Sequence, residues 1–223
     1  MADSEQREKL VALREMLRER FPGSVPAAGT ETFATGLPEL DSQLGGGLPL
    51  GGITEVVADG PSCGVQWFFS TLVNVSAVNR RLVALVDRWD AWDPRSAAST
   101  ALEYLLWVRC REAGQAVRAA DILVRDGNIP LILMDMRPTA GSAADRIPSQ
   151  GWYRLQRCAE QSRAVLAVAS GHCGGSVPGC RLRLRLDRHF RLEHLEFSHE
   201  ELAEAWKADV RYRGGAGREG RAV

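Results

Sequence analysis

Residues 35–72 read TGLPELDSQLGGGLPLGGITEVVADGPSCGVQWFFSTL, and their order decides the fold. The stretch predicts a short helix (Leu37 to Leu44), a glycine cluster (Gly45, Gly46, Gly47), a buried strand (Ile53 to Val57), a loop and a second helix over Val65 to Val78. Strand, glycine-containing loop and helix in that order form the frame of a phosphate-binding P-loop. Such a loop needs glycines spaced so that backbone N–H groups cradle phosphate, a lysine for charge, and a hydroxyl for magnesium. Here Gly60 and Gly64 enclose three residues where the motif has four, and Val65 and Gln66 follow where lysine and serine or threonine belong. Gly60, Ser62, Gly64, Val65 and Gln66 therefore make a degenerate loop.

Outward from this stretch, buried runs alternate with helical patterns. Leu82 to Val86, Pro130 to Met134 and Ala164 to Ala169 are apolar runs of strand length. Helices are expected from Pro94, over Ala113 to Asp126 (stopped by Gly127-Asn128) and over Gln150 to Ser162; Leu105 to Arg109 closes a helix or forms a short strand. The alternation predicts an α/β fold, a parallel sheet flanked by helices. Arg181 to Leu186 alternates strictly, placing leucines on a core and arginines toward water. Phe190 to Phe197 is expected to pair with it antiparallel, and Glu200 to Asp209 to be a short helix before an arginine- and glycine-rich tail. Ahead of the core, Leu10, Leu13, Leu17 and Phe21 form an apolar stripe on a predicted helix, followed by a linker. The expected division is an arm and linker (1–32), a core (33–198), and a C-terminal helix with a basic flexible tail (199–223).

The 223 residues suffice for one sizeable core, and 45% hydrophobic with 25% charged residues is a globular composition. No apolar run reaches the ~20 residues of a membrane span. Five scattered cysteines and an N-terminus without an apolar leader suit reduced thiols in a cytoplasm. A formal net charge of zero neither favours nor excludes nucleic acid.

The order TG, LD, GGGLP, ITE resembles the entrance to the core of RecA-like recombinases. LVALVDRWDAWDP (Leu82 to Pro94) resembles the second core strand, where a glutamate two residues after the first aspartate activates water; Trp89 stands there. PLILMD ends on Asp135, which the resemblance makes a Walker B-like aspartate. The wording WVR, RAADIL, RDGN and PLILMD is closer still to ImuA, the RecA-like member of an inducible mutagenesis cassette. That resemblance implies a RecA-like P-loop core with an N-terminal helical arm and C-terminal antiparallel strands. It further implies a non-catalytic accessory role in damage-induced translesion synthesis, without bound cofactor. The implied partners are RecA, an ImuB-like inactive polymerase and an error-prone polymerase, with self-association and DNA contact also in play. A residual ATP-binding switch and an SOS-induced inhibitor of cell division are the rival readings.

Other constellations carry less. Asp87, Asp90 and Asp93 suit turn capping better than metal binding. His172, Cys173, Cys180 and His189 do not have the spacing of a zinc finger. Arg181, Arg183, Arg185, Arg211 and Arg213 are candidate phosphate contacts, against a solvated face balanced by nearby glutamates. Trp67 and Trp89 are expected to fill the vacated phosphate pocket. The N-terminal stripe is assigned to RecA or to self-association. Leu202 and Trp206, four apart on one helix face, are assigned to the ImuB-like partner.

Overall fold

The computed structural model describes residues 31–58, 63–137, 147–171, 177–186, 190–206 and 208–213. The apolar stripe Leu10, Leu13, Leu17, Phe21, the loop residues Gly60 and Ser62, and the His172–Cys173 pair lie outside them. A minor antiparallel pair, β1 (Thr32–Phe33) with β2 (Leu48–Pro49), flanks α1 (Pro38–Leu44). The helix opens with proline in its first turn and closes on Gly45, which is left-handed at φ 76°. Asp41 fastens this entrance by accepting from the Thr35 backbone N–H at 2.9 Å and the Thr35 hydroxyl at 2.8 Å.

The main sheet contains β3 (Gly52–Ala58), β4 (Val83–Asp87), β5 (Leu105–Arg109), β6 (Leu131–Asp135), β7 (Val165–Ser170), β8 (Leu182–Leu186) and β9 (Ala208–Arg213). Their spatial order is β5-β4-β6-β7-β3-β8-β9. All neighbours run parallel except β8 and β9. Helices α2 (Val65–Val78), α3 (Ala113–Asp126) and α4 (Ser149–Ser162) cover the two faces. Alternate strand residues separate two cores, as a period of two requires. Val56, Leu85, Leu133 and Ala167 pack with Phe68, Phe69 and Leu72 of α2. Ile53, Val86, Met134 and Val168 pack with Ala116, Ala120, Trp152 and Leu155 of α3 and α4. The parallel sheet flanked by helices is the expected architecture. Leu105 to Arg109 resolves as the edge strand, and the segment before it forms short 3-10 turns rather than an α-helix.

The C-terminal third departs from expectation. Residues Leu192–Glu196 form a 3-10 turn, not a strand, and the antiparallel partner of β8 is β9. A short helix, α5 (His199–Ala205), starts on a reciprocal cap: Ser198 Oγ accepts from the Glu201 N–H at 3.3 Å, and Glu201 Oε2 accepts from the Ser198 N–H at 2.7 Å. It ends before Trp206, so Ala208–Arg213 is free to extend the sheet. β9 thus adds an antiparallel strand to the main sheet.

β8 itself keeps its alternation. Leu182, Leu184 and Leu186 are buried, but the arginines between them are half-buried rather than turned to water. Arg183 pairs with the buried Glu55 and Arg181 with Glu160 of α4. Asp87 caps the turn after β4 as expected, accepting backbone N–H groups from Trp89, Ala91 and Trp92. Among the described residues no helix is long and apolar enough to cross a membrane.

Candidate functional site

In an open parallel sheet the functional edge lies at the carboxyl ends of the strands. Three features meet there: the end of β3 leading into α2, the turn after β4, and the end of β6. Asp87 and Asp135 close β4 and β6 in register with one another.

Asp135 is the centre of this edge, with a side chain 2% exposed. Gln66, in the first turn of α2, donates from Nε2 to its Oδ2 at 3.0 Å. Arg137, two residues along the chain, grips the same carboxylate twice, Nε to Oδ1 at 2.9 Å and Nη2 to Oδ2 at 2.5 Å. The Arg137 backbone N–H adds a bond to Oδ1 at 3.3 Å, and its Nη1 reaches Cys63 Sγ at 3.7 Å. A planar guanidinium matches a carboxylate in this two-pronged way. Burial opposes the Arg137 charge, yet the Asp135 carboxylate outweighs it and holds the guanidinium firmly protonated.

Trp89 lies at the same edge. Its indole N–H donates to the Arg137 carbonyl at 2.7 Å, while the Arg88 guanidinium sits 4.2 Å from its ring centre. It is half-buried, and it joins two loops by hydrogen bonding rather than filling a cavity with Trp67. The aromatic filling comes from elsewhere. Gly64 caps α2 in the left-handed region at φ 82°, and a Cβ placed on it would lie 2.9 Å from Phe190 Cε2 and 3.0 Å from Trp206 Cδ1. Trp206 stacks on Phe68 with ring centres 4.9 Å apart and leans on Trp67 at 5.6 Å. Phe190 meets Trp67 edge-on at 6.2 Å. The amino end of α2, where a P-loop presents N–H groups to phosphate, is therefore roofed by C-terminal aromatics.

Trp206 is 6% exposed and part of the core, and Leu202 is half-buried on α5 just before it. Arg211 pairs with Asp209 at 2.8 Å within β9 rather than lying in a flexible tail; Arg213 ends the same strand. Arg185 is half-buried on β8.

The residues present do not fit a magnesium nucleotide. Magnesium asks for oxygen ligands in near-octahedral geometry and keeps several waters. Asp135 instead offers both oxygens to an amide and a guanidinium, and Gln66 and Val65 follow Gly64 where the P-loop motif asks for a hydroxyl and a lysine. Trp89, at the position that the resemblance to RecA-like recombinases makes water-activating, carries no group able to take a proton. Of this set, sequence reading singled out Gln66, Trp89 and Asp135. It missed Arg137, whose only signal was a cation two residues beyond the strand-end aspartate, and Phe190, whose contact with Trp67 spans more than a hundred residues of chain.

No protein-family model matches the chain. The chain is 29% identical over 165 residues, 72% of its length, to the chloroplastic DNA repair protein recA homolog 1 of Arabidopsis thaliana. It is 33% identical over 174 residues, 74% of its length, to Protein RecA of Prochlorococcus marinus (strain MIT 9211). To Protein RecA of Synechococcus sp. (strain WH7803) it is 34% identical over 174 residues. It spans 36%, 46% and 44% of those three proteins, respectively. The mostly parallel sheet flanked by helices is consistent with a RecA-like core, and the partial similarity supports a RecA-like relative.

Proposed function

We propose that this protein is a non-catalytic, RecA-like accessory factor in damage-induced mutagenesis, an adaptor between RecA and a translesion polymerase assembly. The observation that carries the reading is the state of Asp135: the carboxylate a nucleotide-dependent relative needs for metal is taken up by Gln66 and Arg137. A RecA-like chain that keeps the fold but not the phosphate chemistry acts through surfaces. The DNA-repair setting is drawn from the names of the RecA relatives, and the polymerase partners from the resemblance to ImuA.

The N-terminal stripe Leu10, Leu13, Leu17 and Phe21 is our candidate for the surface that meets RecA or a second copy. A helix with such a stripe can lay it in a groove of another protein. At the other end, the burial of Trp206 removes the grounds for a C-terminal anchor for the ImuB-like protein. Contact with DNA through partners is favoured, because Arg181 and Arg183 are already engaged by Glu160 and Glu55.

The test is affinity capture from DNA-damaged cells with the full chain and with a Leu13→Ala/Leu17→Ala variant. Recovery of RecA and of polymerase-like proteins by the full chain, with RecA lost from the variant, is the expected result. Recovery of cell-division proteins and neither RecA nor polymerases would overturn the reading.

A further inference from the structure

We propose that Arg137 is the resident cation of the carboxyl edge, standing toward Asp135 where a metal-bound ligand would stand, and that it binds three strand-end loops into one ligand-independent unit. The inference rests on the reading above that this edge works without nucleotide, and it adds what holds the edge in shape instead.

Three loops converge on this one residue. From the β6 end, Asp135 receives both prongs of the guanidinium and the Arg137 backbone N–H. From the loop after β3, Cys63 Sγ lies 3.7 Å from Nη1, and Gln66 of the following helix shares Asp135 Oδ2 at 3.0 Å. From the turn after β4, the Trp89 indole donates to the Arg137 carbonyl at 2.7 Å. The side chain of Arg137 is 22% exposed, so most of this network is shielded from competing water.

In proteins that switch on a nucleotide, loops at such an edge are ordered by contacts to phosphate and magnesium and released when these leave. A guanidinium carried by the chain itself cannot leave. Its charge is permanent in the accessible pH range. An incoming cation must first displace it from both oxygens of Asp135. Gln66 Oε1 is buried with no hydrogen-bond partner among the described residues, so that amide is oriented by its donation to Asp135 alone. The described residues of the edge are therefore held together by the chain's own side chains, and a partner that reads them does so without a nucleotide signal.

The experiment is amide hydrogen exchange on the full chain, wild type against Arg137→Ala and Arg137→Lys, with and without millimolar magnesium and ATP. For Arg137→Ala we expect exchange faster by ~10- to 100-fold in two separated segments, residues 63–66 and 135–137, the span expected for loss of a charged hydrogen-bond pair; residues 89–92, whose Trp89 indole bonds the Arg137 backbone carbonyl that alanine keeps, should loosen less. The interiors of β3 and β7 should stay protected. Arg137→Lys keeps a charge but not the fork, so it should loosen residues 63–66 and 135–137 to a lesser degree; it also serves if the alanine variant does not fold. Loosening confined to residues 135–137 in either variant would overturn the role of Arg137. A separate outcome, tighter protection of the wild type on adding magnesium and ATP, would overturn the nucleotide-free reading on which the inference rests.

Discussion

Two buried carboxylate–arginine pairs in this molecule look alike and do different things. Glu55, in the middle of β3 with a side chain 1% exposed, is bonded by Arg183 Nε at 2.6 Å, Ser170 Oγ at 2.8 Å and the Val177 backbone N–H at 3.0 Å. Its partners come from both neighbouring strands and the loop that joins them, so it fastens β3, β7 and β8 to one another. Burial and the nearby Glu55 charge also push the Cys180 thiol up to about 11. Asp135 has the same chemistry at a strand end, where its partners are Gln66 in the first turn of α2 and Arg137 just past β6. The pair inside the sheet is scaffolding. The pair at the edge lies where open parallel sheets bind their ligands. Position in the topology, more than residue type, separates the two roles.

Three substitutions sharpen this contrast by their effect on denaturant unfolding of the full chain. Glu55→Ala should cost the most, ~4 kcal/mol, because it removes a buried carboxylate shared by a half-buried guanidinium, a hydroxyl and a backbone N–H. Trp206→Ala should follow at ~3 kcal/mol, since the ring stacks inside the core over the amino end of α2. A loss near zero would return Trp206 to the surface and revive it as a partner anchor. Asp135→Ala should cost ~2 kcal/mol without any nucleotide present, less than Glu55→Ala because Arg137 can turn toward solvent. If Asp135→Ala stabilises the ligand-free chain, as removing an uncompensated carboxylate from an open site would, the edge is not self-satisfied. If it costs as much as Glu55→Ala, the edge pair is scaffolding too.

Much of the fold was legible because its cues are local. Pro38 and Gly45 bound α1, and Gly127 ends α3 in the left-handed conformation that glycine allows. The apolar runs before Asp87 and Asp135 announced central strands. The C-terminal third was misread because its cues are distant. Leu202 and Trp206 have helical spacing, so the pattern ran the helix on to Asp209; but the indole belongs to Phe68 and Trp67, far back in the chain. Likewise Phe190 to Phe197 carries apolar residues enough for a strand, yet β9 takes the place beside β8. At the site, the sequence pointed to Gln66, Trp89 and Asp135 but not to the contacts they make. Arg137 is one arginine among many until β6 turns it back on Asp135, and the arginines of β8 read as exposed because Glu55 and Glu160 come from elements far away in sequence.

The central claim is that this edge is satisfied by the chain's own residues and has no use for a nucleotide. Titration calorimetry of the full chain with ATP and magnesium tests it directly. Loss of the lysine and of the metal-ligating hydroxyl weakens binding by ~10²–10⁴-fold relative to an intact P-loop, before displacement of Arg137 is counted. The account predicts no saturable heat up to millimolar ATP. A magnesium-dependent dissociation constant in the micromolar range would contradict it.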